Sequence, residues 1–447
     1  LSNALSAVLI FGATGLGAWL LVRPAAWVGR RLGVVDHPDE RRTKRRPIPT
    51  TGGFVIFAAI VGALLATLRI HGAVEPEVAG KLAVLAAGGA AVVVLGVLDD
   101  KLNLRPHVKL GVQIAIAVAM AAGGVGIDRM RFLFGPAIDV GWFGYPLTVF
   151  WFVGFMNAIN LIDGLDGLAS GIAAIAAAGL VAVGIINQNP FLYLMAAGML
   201  GSTLGFLLHN FRRGNIYLGD AGSMVLGFFL AGGAIVGAYG DGASNALLVG
   251  AACMVVPAFD VVTSIVRRRR AQRGIMTADR SHIHHRLIRF GLHPKTAVVV
   301  LWGVTVFFSG QMLGFIAPHG ILYIVTSYVV AALVANEIIK QHRKNVKTIN
   351  SNLGRDLIEL IGVGSEDADD ADDGMSLHDM IVAQIRREVH HRKLERGQVD
   401  GPLEAVGAAG GDPAVAPGGD HPPTSAADGD GEEAEAPALE VDEARRG

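Results

Sequence analysis

Clusters of acids, bases or histidines interrupt this chain at every second boundary between long apolar runs, and almost nowhere else. They occupy residues 41–53, 99–101, 157–167, 219–223 and 282–286. Two apolar stretches separate each cluster from the next, each long enough as a helix to cross the roughly 30 Å hydrocarbon core of a bilayer. A chain that crosses twice returns to the side it left, so all five clusters face one side. The pattern predicts an all-α integral membrane protein, a polytopic bundle with one polar cleft on one membrane face.

Composition agrees. Of 447 residues, 52% are hydrophobic and only 17% charged, and the mean hydropathy of +0.46 is that of a membrane protein. The net charge of −1 cancels basic loops against an acidic tail and says nothing about partners. The single cysteine, Cys253, excludes an intrachain disulfide and a thiolate metal cluster; in its apolar run it reads as a small buried residue. About eleven transmembrane helices are expected, at 4–22, 52–70, 82–98, 108–126, 146–162, 168–186, 191–209, 222–239, 246–266, 296–317 and 320–339. Lys and Arg crowd the loops around residues 23–46 and 267–289 and are scarce in the alternate loops. By the positive-inside rule the clusters are then cytoplasmic, with the N-terminus outside and the C-terminus in the cytoplasm.

The first run has no basic segment before it and is followed at once by Arg23, as in an outside-to-inside anchor rather than a cleaved signal. Leu1 in the first position leaves room for a native start upstream. Residues 128–144 read equally well as an interfacial hairpin or a plain loop. The catalytic domain is expected to span 1–347. The remainder, 348–447, reads as an acidic, mostly disordered cytoplasmic tail. Within it, 375–396 carries apolar residues at helical spacing, as a solvated helix or a short amphipathic one on the inner leaflet would.

Carboxylates near membrane spans are costly, about 2.5 to 3.5 kcal/mol each at the centre. Asp99 and Asp100 nevertheless close the third run, Asp163 and Asp166 the fifth, and Asp220 opens the eighth. Gathered in one cleft they repel unless a cation neutralises them. Oxygen ligands of this kind suit Mg²⁺, with Mn²⁺ as a substitute, and Mg²⁺ shares its shell with substrate phosphates. Gly164, Gly167, Gly219 and Gly222 flank the carboxylates where helices begin, as backbone N–H groups approaching an anion require. Lys44, Lys109 and Arg286 add positive charge on the same face. His282, His284 and His285, expected in a loop with no Cys or nearby acid, fit a phosphate or nucleotide better than zinc. Asn157 and Asn160 are too polar for a lipid-facing position and are placed toward the cleft or another helix.

Four motifs, Asp99-Asp100-Lys101-Leu102-Asn103-Leu104-Arg105, the run from Asn157 to Ala169, Gly219-Asp220-Ala221-Gly222-Ser223 and His282-Ile283-His284-His285-Arg286-Leu287, stand in an order and spacing that resembles the polyprenyl-phosphate N-acetylhexosamine-1-phosphate transferases. The resemblance covers residues 22–339. Its histidine motif is similar to that of the branch using UDP-N-acetylglucosamine; the branch using UDP-N-acetylmuramoyl-pentapeptide ends that motif in His-His-His-Phe-Glu, which is absent. The resemblance implies Asp166 and Asp220 as Mg²⁺ ligands, Asp99 as the group that deprotonates or orients the lipid phosphate, and Lys109 on the diphosphate. Asp100, Asn157, Asn160, Asp163 and the His282–Arg286 segment would shape the rest of the nucleotide-sugar site. The chain departs from the family at Lys44, where many members carry His, and at Arg212-Arg213-Gly214-Asn215, which replaces a Pro-Ala step.

The expected activity is transfer of N-acetylglucosamine-1-phosphate to an undecaprenyl or decaprenyl phosphate in a bacterial cytoplasmic membrane, with release of UMP. Expected partners are UDP-N-acetylglucosamine, the polyprenyl phosphate and the bilayer, with a homodimer admitted and nucleic acid excluded. The rival within the family is the phospho-N-acetylmuramoyl-pentapeptide transferase. A secondary transporter is the rival of another class, but transporters place carboxylates near the midplane between inverted repeats, and here they sit at span ends. A CDP-alcohol phosphatidyltransferase fails because Leu168-Ala169-Ser170-Gly171 follows Asp166-Gly167.

Overall fold

A computed structural model of the chain describes residues 3–36, 47–70, 76–131, 135–238, 244–272, 274 and 282–361. Its helices, in chain order, are α1 (Asn3–Arg31), α2 (Gly52–Ile70), α3 (Pro76–Leu102), α4 (Pro106–Ala122), α5 (Gly144–Ile162), α6 (Leu168–Ile186), α7 (Pro190–Arg213), α8 (Gly219–Val236), α9 (Ser244–Cys253), α10 (Val255–Arg270), α11 (Ile283–Arg289), α12 (Pro294–Ile316) and α13 (Gly320–Ile361). Two short antiparallel ladders join β1 (Val35–Asp36) to β2 (Ile48–Pro49) and β3 (Arg129–Arg131) to β4 (Ala137–Asp139). The second ladder makes the segment between α4 and α5 a hairpin rather than a plain loop.

Among the described residues nine helices are long and apolar enough to cross a membrane, and ten if α9 and α10 count as one bent span. The run expected at 108–126 falls on α4, a shorter apolar helix of 17 residues. The protein is a multi-pass, all-α membrane protein. α8 sits at its centre, with 89% of its apolar window buried, whereas the corresponding window of α13 is 6% buried. The sequence of α8 explains its place. It is apolar all round, as a central helix must be, and α2, α3, α5 and α6 pack around it.

Three boundaries differ from expectation, each for a local reason. The run at 246–266 is not one straight helix: α9 and α10 meet at a 58° bend. Pro257 lacks the N–H that would bond the carbonyl of Cys253, and its ring crowds the preceding turn, so the helix breaks at Met254. The histidine segment, expected as a loop, forms α11 from Ile283 onward. α13 runs past Lys347 to Ile361. Lys44 and the expected helix at 375–396 lie outside the described residues.

Candidate active site

The C-terminal end of α3, the first turns of α4, the end of α5 and the start of α8 converge on one polar cluster. Asp99, in the last turns of α3, is 6% exposed. Its Oδ1 accepts the Leu104 N–H at 3.0 Å, and its Oδ2 lies 2.6 Å from Lys109 Nζ. The turn that allows this reversal passes through Asn103 at φ +47°, a left-handed position that Asn tolerates. Lys109, one turn into α4, also donates to Asn160 Oδ1 at 3.0 Å and reaches Asp220 Oδ1 at 3.4 Å. Asn160 Nδ2 donates in turn to Asp220 Oδ1 and, at 2.9 Å, to Ser223 Oγ. One ammonium group therefore ties α3, α5 and α8 to α4.

Asp100 does a different job. Its Oδ1 accepts the Asp220 N–H at 3.0 Å, so a carboxylate from α3 caps an otherwise unpaired backbone donor at the N-terminus of α8, where negative charge is favoured. Its other oxygen, Oδ2, is buried without a hydrogen-bond partner among the described residues. One turn deeper, Asn157 Nδ2 donates to Gln113 Oε1 at 2.7 Å and Gln113 Nε2 to Met224 Sδ at 3.1 Å. Gln113 is fully buried, and its place four residues after Lys109 keeps both on the same face of α4.

The turn between α5 and α6 carries Asp163 and Asp166. Burial, and then the neighbouring charges of Asp220, Asp166 and Asp100, push the Asp163 carboxyl up to about 8. Gly167, at φ +87°, donates its N–H to Asn210 Oδ1 at 2.6 Å. Glycines expected to leave room for an anion also leave room for protein. A Cβ on Gly164 would stand 2.2 Å from His284 Nε2, on Gly167 2.6 Å from the Phe211 ring, and on Gly222 2.6 Å from the Leu218 side chain.

The histidine segment is docked by a residue that the motif reading missed. Asp260 of α10, 0% exposed, accepts from His282 Nδ1 at 2.9 Å through Oδ2 and from the Ile283 N–H at 2.8 Å through Oδ1. The segment does have a nearby acid, contrary to the sequence expectation, supplied from α10 beyond the bend at Met254. His282 and His284 stack with ring centroids 5.8 Å apart, and His284 lies 4.2 Å from His285. His284 is 1% exposed and neither ring nitrogen has a hydrogen-bond partner among the described residues. Burial, with His285 adding repulsion, holds it down to about 4, so it is neutral at physiological pH. His285 and Arg286 are exposed. Asp260 had one sequence signal, as the sole acid in the apolar run 246–266; the buried Gln113 had only its spacing from Lys109.

Among the described residues no three His, Cys, Asp or Glu side chains form a ready-made metal cage. What the cluster offers is carboxylate oxygen from α3 and α8 around one lysine, with Asp163 and Asp166 on the neighbouring α5–α6 turn, at the ends of membrane helices. Such an arrangement can bind a phosphorylated substrate presented from a membrane face, with basic and acidic groups placed side by side for proton and charge transfer.

Comparison with known proteins agrees with this chemistry. The model for glycosyl transferase family 4 matches residues 82–238, the stretch that holds Asp99, Lys109, Asn160 and Asp220. A probable undecaprenyl-phosphate N-acetylglucosaminyl 1-phosphate transferase of Bacillus subtilis is 34% identical over 280 residues, 62% of this chain and 76% of that protein. The decaprenyl-phosphate N-acetylglucosaminephosphotransferase of Mycobacterium tuberculosis is 33% identical over 362 residues, 74% of this chain and 87% of that one. An undecaprenyl-phosphate alpha-N-acetylglucosaminyl 1-phosphate transferase of Escherichia coli is 27% identical over 280 residues, 61% of this chain and 74% of that protein. With motifs, membrane architecture and relatives in accord, the chain belongs to glycosyl transferase family 4, among the polyprenyl-phosphate N-acetylhexosamine-1-phosphate transferases.

Proposed function

We propose that the protein transfers N-acetylglucosamine-1-phosphate from UDP-N-acetylglucosamine to a polyprenyl phosphate at the cytoplasmic face of a bacterial plasma membrane, releasing UMP. The observation that carries this reading is the Lys109 cluster. An ammonium group held at 2.6 Å from Asp99 and 3.4 Å from Asp220 suits a reaction that brings one phosphate to another. An oxygen of the lipid phosphate forms a bond to the sugar-linked phosphorus, and the bond from that phosphorus to the UMP oxygen breaks. Asp99 orients the incoming phosphate or takes its proton. Lys109 meets the negative charge that builds on the diphosphate as UMP leaves. With a phosphate as nucleophile, the reaction needs no serine or cysteine in that role.

The carboxylates fit a magnesium ion on the donor diphosphate. All are hard oxygen donors, and Asp100 Oδ2 is buried with no hydrogen-bond partner among the described residues. Asp166 and Asp220 are the ligands proposed. Mg²⁺ usually takes one or two protein carboxylates and completes its shell with water and substrate phosphate. Bound there, the ion would neutralise the diphosphate and polarise its phosphorus.

The donor assignment rests on His282-Ile283-His284-His285-Arg286 and on the N-acetylglucosamine-1-phosphate transferases among the relatives. Purified protein in detergent, given polyprenyl phosphate, Mg²⁺ and radiolabelled UDP-N-acetylglucosamine, should move label into the lipid extract and release UMP. Label entering the lipid only from UDP-N-acetylmuramoyl-pentapeptide would overturn the donor assignment, and no transfer from either donor would overturn the reaction.

A further inference from the structure

The buried carboxylate of Asp260 makes no contact with the Lys109 cluster, and the reaction as described gives it no task. Its surroundings are specific nonetheless. Both oxygens are used, one on the His282 ring and one on the Ile283 N–H, the first backbone donor of α11. Ser264, one turn further along α10, places its hydroxyl 3.5 Å from the same His282 nitrogen and receives Arg267 Nη2 at 2.9 Å. A carboxylate can only accept, so His282 Nδ1 carries the proton, and in the neutral ring the lone pair falls to Nε2. From His282 the contacts continue by ring stacking to His284, and the His284 ring fills the space that a side chain on Gly164 would need. Gly164 lies between Asp163 and Asp166.

We propose that Asp260 is the positioning residue of the nucleotide-sugar site. It holds α11 by its N-terminus, fixes the His282 tautomer, and thereby seats His284 against the α5–α6 turn that carries Asp163 and Asp166. The proposal rests on the donor reading above and extends it to a residue outside the four motifs. It does not make Asp260 a catalytic residue, because Asp260 reaches the donor only through His282 and α11. Behind a metal-binding histidine, a carboxylate that orients the ring by its far nitrogen costs about 10- to 100-fold in metal affinity or activity when removed, and a loss of the same order is expected for the donor here.

The effect should be confined to one substrate. Asp260→Ala is expected to raise KM for UDP-N-acetylglucosamine by about 10- to 100-fold and to leave KM for the polyprenyl phosphate within about twofold of wild type. Asp260→Asn keeps a carbonyl oxygen for the Ile283 N–H but removes the second acceptor, so it should restore part of the donor KM and keep the wild-type melting temperature in detergent. The double variant Asp260→Ala with His282→Ala should lose little more than the worse single variant, since one contact is broken twice. An unchanged donor KM in folded Asp260→Asn and Asp260→Ala would overturn the proposal, as would equal rises in both KM values or losses that multiply in the double variant. If Asp260→Ala does not fold, a donor KM for Asp260→Asn equal to wild type still overturns it. The wild-type enzyme separates the two readings: no saturation by UDP-N-acetylglucosamine there would remove the donor assignment itself, whereas normal saturation with unaffected variants removes only the role of Asp260.

Discussion

Lys109→Met tests the centre of the site. The substitution keeps the apolar stem and deletes the charge. The side chains of Lys109 and Asp99 are 14% and 8% exposed, so their 2.6 Å contact is largely shielded from water; a hydrogen bond to a charged group of this kind contributes about 1.5–3 kcal/mol. The 3.4 Å contact to Asp220 reaches a side chain that is 35% exposed, and solvent screening limits it to about 1 kcal/mol or less. Together these come to about 3 kcal/mol, at the lower edge of the roughly 3–5 kcal/mol lost when one partner of a buried pair is removed. If that interaction is expressed in the transition state, kcat/KM falls by about 10²-fold or more. The Mg²⁺ requirement should move the other way. Asp99 and Asp220 without their ammonium partner attract a divalent cation at least as strongly, so half-saturating Mg²⁺ stays the same or drops. Transfer into extracted lipid across a Mg²⁺ series measures both quantities, with melting in detergent as the folding control. Folded Lys109→Met within tenfold of wild-type kcat/KM would refute the reasoning, and so would a large rise in the Mg²⁺ requirement, which would mean that Lys109 helps to assemble the metal ligands rather than to stabilise the reacting phosphates.

Gly219→Ala should lower the melting temperature and activity together: φ is +73° and the added Cβ would stand 2.5 Å from the Thr50 carbonyl and 2.8 Å from Asp100 Oδ2. The left-handed backbone alone costs about 1–2 kcal/mol for a non-glycine residue, and a wild-type melting curve would contradict the placement. Asp163→Asn should stabilise the Mg²⁺-free protein in a pH-dependent way. The folded carboxyl is raised from 3.8 to about 8, so the wild-type group favours folding fully only below its unfolded value and loses that contribution as pH rises toward 8. The variant's advantage in melting temperature should therefore widen between pH 4 and about 8 and stay constant above; an advantage independent of pH would show that Asp163 is not protonated in the fold.

How much of this was legible beforehand depended on where the free energy is decided. α2 and α6 begin and end where their apolar runs do, at Gly52–Ile70 and Leu168–Ile186, because the bilayer sets the length and polar or glycine residues flank each run. Spacing alone put Lys109, Asn160 and Asp220 on one face, and the structure joins them within hydrogen-bond reach. Asp260 was harder to see, since it lies beyond a 58° bend between α9 and α10 and meets His282 and Ile283 across 22 and 23 residues of chain. Hydropathy averages over that bend: Pro257 sits in a run that remains apolar on both sides. The helical state of the histidine segment was hidden for a related reason. Seven residues are too few for a periodic pattern, and α11 is held by Asp260 at one end and by packing on α12, contacts that no local window contains.

The spacing of the carboxylates is set by backbone as much as by side chains. A Cβ on Gly96 would stand 2.1 Å from Ala221 Cα, and one on Gly53 would stand 2.6 Å from Gly222 N. α2 and α3 therefore approach α8 at the level of the active site closely enough that only hydrogen fits between them. Gly96 precedes Asp99 and Asp100 by about one helical turn, so the crossing fixes how far α3 can carry its carboxylates toward α8. At that separation the short side chain of Asp100 spans to the Asp220 N–H at 3.0 Å. A glutamate, one methylene longer, would have to fold back or push the helices apart. A larger residue at Gly96 would part α3 from α8 and draw Asp100 away from the α8 N-terminus. The glycine and the aspartate thus form one device, in which the small residue sets the helix separation and the carboxylate is cut to its length.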